Sequence, residues 1–303
     1  MSNVFSAFSA VSAVKPDCAH APMTEPLIRD ISDTARWVAV YRARETERPD
    51  AVFRDPFARA LAGERGERIA QGLAAADDVA WAVIARTHAV DRFVTRLVKH
   101  GVDLVVNLAA GLDTRPYRME LPASLRWVEV DLPDILDYKE EILAGATPVC
   151  ALERVRLDLS NEDARRGLFD RLGRGARQVL ILSEGLVIYL MAQEVGALAL
   201  DLARPASFQF WVVDLVSPGA LQVLKERSGE AVNQAGAPYL FAPAAGPPFF
   251  AQYGWTVAEV RSLLKTAAKL GRLPFAMRML SMLPEPSGAQ GSRPWSGVCL
   301  LTR

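Results

Sequence analysis

Apolar positions along this chain follow two different periods, and the change between them divides it. Through residues 33–100 they recur every three or four positions, which predicts helices. "DTARWVAVYRARETER" (33–48) reads as one, with Asp33 or Thr34 as cap and Pro49 as stop. "FRDPFARALAG" reads as a second, with Asp55 as cap, Pro56 at the first helical position and Gly63 as terminator. A longer helix runs from about Asp78 to His100 and ends at Gly101. Lys99 and His100 in its last turn suit the helix dipole.

From residue 102 short β-rich runs alternate with helical ones. "VDLVVNL" (102–108), "RWVEVDL" (126–132), "RVRLDL" (154–159), "QVLILSEG" (178–185) and "SFQFWVVDL" (207–215) read as strands. Unbroken apolar stretches such as Val179 to Leu182 predict strands buried on both faces. Helical stretches at 133–144, 161–173 and 191–203 lie between them, so the pattern predicts an α/β fold with a parallel sheet and crossover helices. After Ser217-Pro218 the pattern loosens. Residues 233–250, rich in Gly, Pro and Ala, read as a loop or lid. "TVAEVRSLLKTAAKLG" (256–271) reads as a helix with a capping box of Thr256 and Glu259. "SGVCLLTR" reads as a last strand.

The chain has 303 residues, of which 50% are hydrophobic, and a formal net charge of zero. That bounds the reading to one large domain with elaborations or two small ones, and gives no broad basic face for nucleic acid. Cys18, Cys150 and Cys299 are far apart and form no C-x-x-C pair, so zinc is not expected. Their odd number suits a reducing, cytoplasmic setting. No apolar run approaches ~18 residues, so no membrane span is expected. In residues 1–29, Ala19-His20-Ala21 mimics a signal-peptide cleavage site, yet the first basic residue, Lys15, follows the apolar part instead of preceding it. A mobile tail is the expectation there.

The chemistry gathers at the strand ends. Asp131, Asp158, Glu184 and Asp214 stand at or next to the ends of four predicted strands, and Asn107 near the end of the first. Ligands of open parallel sheets bind beyond those ends, so one electronegative crevice is expected. A dinucleotide brings a pyrophosphate and needs bare backbone N–H groups, but the G-x-G-x-x-G pattern is absent and the turn after the first strand holds only Gly111. S-adenosylmethionine, with a net charge near +1, suits such a crevice better. Asp131 reads either as a ribose acceptor or as the cap of the helix opened by Pro133. Asp158 has the same two readings, with Asn161 as the alternative cap. Glu184 needs a cation, which a ligand ammonium or a structural arginine could supply. Asp214 reads as structural. Arg86 lies on the apolar stripe Val79, Val83, Val90, Phe93, Leu97, so its guanidinium needs an anion: a ligand carboxylate or an internal acid. His88 and Asp91 follow on the same helix, with His88 as a candidate base.

The segments "SDTARWVAVYRARETERPDAVFRDPFARALAG", "ARTHAVDRF", "VVNLAAGLDTRPYRM", "WVEVDLP", "RLDLSN" and "LSEGLVIYL", in this order, resemble the leucine carboxyl methyltransferase family, and most closely its bacterial branch of O-methyltransferases. The resemblance covers about residues 30–303. It implies a class I methyltransferase fold, with a seven-stranded sheet, helices on both faces and a helical cap. Within a single domain over 30–303, residues 30–100 and an insertion at 217–285 would form that cap over the acceptor site. S-adenosylmethionine would be the cofactor. By the same resemblance Arg86 would hold the methionine carboxylate, Gly111 would shape the cofactor turn, and Asp131 would take the ribose. Asp158 and Leu159 would read the adenine, Glu184 would lie near the methionine amino end, and Tyr189 would face the reaction centre. The family's turn reads Asn-Leu-Gly-Ala-Gly, whereas this chain has Ala109 for the first glycine. A positive φ there would carry a cost.

Eukaryotic members methylate a phosphatase C-terminal carboxylate, and some bacterial members act on polyketide-type molecules of secondary metabolism. Tyr239, Phe241, Phe249, Phe250, Tyr253 and Trp255 read either as core or as lining for an apolar acceptor. A small-molecule acceptor is expected, carboxylate or phenol, without nucleic-acid or membrane partners. A carboxylate, with a pKa near ~4, needs no base, whereas a phenol, near ~10, would call on one such as His88. Protein carboxyl methylation, NAD(P)-dependent oxidoreduction and non-catalytic cofactor binding are the rival readings.

Overall fold

Alternation within the strands places two apolar layers on one sheet. The computed structural model describes residues 28, 31–72, 76–234, 236–282, 284 and 291–303. The tail expected over 1–29, with Cys18 and His20, lies outside the described residues except for Ile28, which is buried against Trp37 and Tyr41.

Three helices come first: α1 (Ile31–Thr46), α2 (Ala58–Gly72) and α3 (Ala76–Lys99). Next follow β1 (Leu104–Leu108), the short α4 (Arg115–Arg118), β2 (Arg126–Asp131), α5 (Pro133–Ile142), β3 (Ala151–Arg156), α6 (Glu162–Arg174), β4 (Val179–Ser183), α7 (Ala192–Leu202) and β5 (Phe208–Val216). The chain continues through α8 (Pro218–Leu224), a π-helical turn at Lys225–Gly229, α9 (Glu230–Gln234), β6 (Thr256–Ser262), α10 (Leu263–Lys269), α11 (Phe275–Ser281) and β7 (Ser296–Thr302). The sheet order is β3-β2-β1-β4-β5-β7-β6. The first five strands run parallel, and β7 is antiparallel to both β5 and β6.

On one face Leu104, Val106, Val128 and Ile181 pack with Phe169 of α6 and Leu198 of α7. On the other, Val105, Trp127, Leu180 and Val212 pack with Phe93 of α3 and Ala267 of α10. Odd and even positions of β1 thus serve different layers, as a pleated strand buried on both sides requires. A third apolar cluster joins α1, α2, Val83, Leu112 and Tyr239 above the strand ends.

Three sequence expectations are corrected. Residues 256–271 are not one helix: Thr256–Ser262 pairs with β7, and the helix that follows is capped by Ser262, whose hydroxyl accepts from the Lys265 N–H at 3.3 Å. Pairing with β7 satisfies the backbone of this stretch and overrides its local helical spacing. The third strand spans 151–156, so Asp158 stands in the loop beyond it. Helix α1 starts at Ile31, which places Asp33 inside its first turn, where its carboxylate accepts from Arg65 at 2.8 Å. Gly63, at φ 58° and ψ −176°, does end a helical segment as expected, and a second segment follows it to Gly72.

Candidate active site

The turn after β1 is built from two left-handed residues, Ala109 (φ 50°) and Gly111 (φ 46°). A Cβ on Gly111 would stand 3.3 Å from the Ala35 methyl of α1, so this glycine answers both to its conformation and to a close approach. Ala109 has the positive φ at which its methyl group carries a cost. Three N–H groups here are committed within the protein. Ala110 donates to Val130 O (3.3 Å), Gly111 to Asp131 Oδ2 (2.6 Å) and Asp113 to Ala110 O (3.0 Å). A phosphate nest needs such groups bare.

A cavity of about 990 Å³ lies beyond the strand ends, and Asn107, Asp131, Asp158, Glu184 and Asp214 all line it. The crevice expected from the sequence is therefore present. Asp131 accepts from Gly111 and, at 2.8 Å, from its neighbour Leu132, while α5 has no side-chain cap. Burial raises its pKa against the lowering effect of those two N–H groups. Asn161 caps α6 through Ala164 N–H (3.1 Å), which leaves Asp158 free of that duty; its carboxylate accepts from Ser160 N–H. The carbonyl of Leu159 accepts from Arg165, which is anchored in turn on Asp201 of α7.

Arg86 reaches down from α3 to the ends of β4 and β5. Its Nε donates to Glu184 and a terminal nitrogen to Asp214, both at 3.0 Å. Burial works against this charge, but Asp214 and Glu184 more than offset it and hold its pKa above the ordinary value. Gly185, at φ 69°, carries no Cβ toward that guanidinium and donates to Asp214 at 2.7 Å. Arg86 thus meets two internal acids, and Asp214 is held by Arg86 and by the Gly185 N–H.

Behind this clamp lies a network that sequence reasoning missed. Arg115, 3% exposed, pairs with Asp91 (2.7 Å), Asp113 (2.7 Å) and Glu184 (2.9 Å), and Arg118 also pairs with Asp91 (2.8 Å). Burial opposes the charge on Asp113, yet Arg115, Lys139 and Arg118 hold its carboxyl well below the usual range. The signal was present: "GLDTRPYR" sets charges of both signs directly after a buried strand.

These donors and acceptors suit S-adenosylmethionine. Carboxylates suit hydroxyls and an ammonium, a guanidinium suits a carboxylate, and three N–H groups of the turn are already engaged within the protein. A family model for leucine carboxyl methyltransferase matches residues 35–203. A relative from Parafrankia sp. (strain EAN1pec), named for S-adenosyl-L-methionine-dependent methyl transfer, is 35% identical over 255 residues, covering 77% of this chain and 79% of its own. A relative of like name from Mycobacteroides abscessus is 33% identical, covering 59% and 63%. The chain belongs to the leucine carboxyl methyltransferase family. Its fold is that of a class I methyltransferase, and S-adenosylmethionine is its cofactor. A solved DUF574-family protein from Streptomyces avermitilis superposes with a TM-score of 0.58 at 16% identity, covering 89% of this chain and 97% of its own. A methyltransferase structure from Thermobifida fusca superposes at 0.56 and 17%, covering 94% and 99%.

In this methyltransferase apolar and aromatic side chains also line the cavity. Trp37 and Tyr41 of α1, Val83 of α3, Leu224 of α8, Tyr189 and Tyr239 are among them. Tyr189 stacks on Tyr239 with centroids 5.7 Å apart and planes 29° apart. Burial first, then the neighbouring Tyr239, holds the Tyr189 phenol well above its ordinary pKa. Of the six aromatics counted as core or lining, only Tyr239 lines the cavity; Phe241, Phe249, Phe250, Tyr253 and Trp255 pack in the core beside Trp211.

His88 is corrected as a catalytic candidate. It is one residue past Thr87 on α3 and does not line the cavity; it is hydrogen-bonded to the Val52 backbone, and burial lowers its pKa. A helix turns 100° per residue, so Arg86 and His88 point about 200° apart. No helix among the described residues is long and apolar enough to cross a membrane.

Proposed function

We propose that this methyltransferase forms methyl esters of small apolar carboxylic acids, in a reducing cytoplasm. The observation that carries the reading is the composition of the cavity's apolar and aromatic lining. Its phenols are Tyr41, Tyr189 and Tyr239, of which burial raises the pKa of the last two, and His88 is not among the cavity's lining residues. An acceptor against that lining must therefore arrive as its own nucleophile. A carboxylate is ionised at neutral pH, whereas a phenol would need a base.

In this reading Arg86 holds the methionine carboxylate, and Glu184 lies at the amino end. Asp131 accepts the ribose hydroxyls, and the Asp158–Leu159 loop takes the adenine over the turn at Ala109 and Gly111. Tyr189 faces the reaction centre. The bound cofactor supplies an electrophilic methyl group on a sulfonium. An ionised acceptor would need no proton removed by the protein, so these residues would have only to bind and orient the two partners. The walls around Tyr189 align the groups and exclude water. Buried free Cys150 and Cys299 suit a reducing compartment.

The test is parallel titration with S-adenosylmethionine, S-adenosylhomocysteine and NAD, followed by mass spectrometry of ester formation over a panel of carboxylic acids, phenols and C-terminal peptides. Esters from small acids are expected. Turnover of phenols alone, or of peptides as readily as of every small acid, would sink the reading.

A further inference from the structure

The Tyr189–Tyr239 stack is built from two separate segments and tied at several points. Leu240 N–H and Phe241 N–H both donate to the carbonyl of Ile188, at 2.7 and 3.1 Å, which clips the 239–241 segment beside Tyr189. Ala237 N–H donates to Val232 O (3.0 Å), which fixes the same segment from the other side.

The helix over this pair is interrupted by the π-helical turn Lys225–Gly229. Such turns widen a helix and re-aim side chains, often at functional sites. Here the turn presents Ser228 to Tyr239, with the two hydroxyl oxygens 3.2 Å apart, and Ser228 Oγ donates to Leu224 O at 3.3 Å. A serine hydroxyl has one proton. With that proton on Leu224 O, Tyr239 donates to Ser228 and its ring is locked in place. Tyr239 is 6% exposed and lines the cavity. A rigid aromatic face at a ligand wall favours planar partners over flexible chains.

We propose that Tyr239 is the specificity-determining residue of the acceptor site and selects aromatic carboxylic acids, whose ring lies along the stacked tyrosines. This rests on the methyl-ester reading above, and it narrows the acceptor class to planar acids.

The test uses the full chain saturated with S-adenosylhomocysteine, with 2-naphthoate and octanoate as probes in calorimetry. The wild type is expected to bind 2-naphthoate about five-fold more tightly than octanoate, the scale of one aromatic contact. Tyr239→Leu is expected to erase that ratio while the affinity for S-adenosylhomocysteine holds. Tyr239→Phe, which keeps the ring, is expected to retain it. The proposal is overturned by a wild type without the preference, by a leucine variant that keeps it, or by a phenylalanine variant that loses it. Ester formation is read separately. Its absence with the binding preference intact counts against the methyl-ester reading and leaves Tyr239 as the selector of planar acids.

Discussion

The backbone N–H of Gly111 donates to Oδ2 of Asp131 at 2.6 Å, across 20 residues of sequence. One bond thus ties the turn after β1 to the end of β2, while Leu132 holds the other oxygen. Each oxygen of the ionised carboxylate keeps further acceptor capacity for a ribose hydroxyl. Asp131→Ala removes both acceptors and is expected to weaken S-adenosylmethionine binding about 100-fold, at ~1.5 kcal/mol for each of two charge-assisted bonds. Calorimetric titration checks this. Affinity within about three-fold of wild type would place the ribose elsewhere.

The same carboxylate sets an acid limit on cofactor binding. Burial raises its pKa above the ordinary aspartate value of 3.8, so on acidification it takes up its proton earlier than an exposed aspartate. The protonated form is the poorer acceptor. Affinity is therefore expected to be level near neutrality and to fall as pH drops through that raised pKa. Asp91 and Asp113 are shifted the other way, and their loss of charge comes later in the titration. Titrations at stepped pH on wild type and Asp131→Asn decide it: the variant should bind weakly throughout, without this limb.

His88→Ala is expected to leave kcat within about two-fold and the pH–rate profile unchanged, since the imidazole meets the Val52 backbone and not the cavity. Loss of a pH limb below the ordinary histidine value of about 6.5 in this variant would restore the histidine as a base.

Ala109→Gly and Gly111→Ala should move stability in opposite directions. Relief of a left-handed alanine gains about 1–2 kcal/mol, and the added freedom of glycine in the unfolded chain returns about 0.5–1 of it. A net gain of about 0–1.5 kcal/mol is expected for Ala109→Gly. Gly111→Ala takes on the strain and a 3.3 Å contact with Ala35, and should lose at least about 1–2 kcal/mol. Urea denaturation midpoints read both.

Arg115→Met is expected to destabilise by about 3–5 kcal/mol, because it leaves Asp91, Asp113 and Glu184 buried around a missing cation. A lysine at the same position meets one of these partners at a time and should recover only part of the loss. Denaturation curves with unchanged slope would attribute the effect to the folded state.

Most of the parallel sheet was legible because β1 and β4 are short, unbroken apolar runs ending beside an acid or amide, a pattern that depends on local residues alone. The site acids were legible for the same reason: strand ends converge on one crevice in any such sheet. Thr256–Ser262 was not legible, because its strand character comes from pairing with β7, some way off in sequence, and local spacing favoured a helix. Arg115 escaped because its three acids sit on α3, on the turn and after β4, and only folding brings them to one guanidinium. His88 misled because helical direction cannot be read from a residue type. Tyr239 was separated from its five aromatic neighbours by the cavity itself, which no sequence pattern outlines.

The placement of β7 between β5 and β6 has a consequence for how the chain comes off the ribosome. The five parallel strands are complete once Val216 has emerged, but β5 then presents an open edge carrying Phe210, Trp211 and Val212 until Ser296–Thr302 arrives. Strand β6 is made in the interval with no strand to lie against, since both its neighbour and that of β5 are the same late segment. Uncovered apolar edges recruit other chains. The nascent protein is therefore at its most aggregation-prone over the synthesis of residues 217–295, and helpers that shield an exposed sheet edge would act on it in that window.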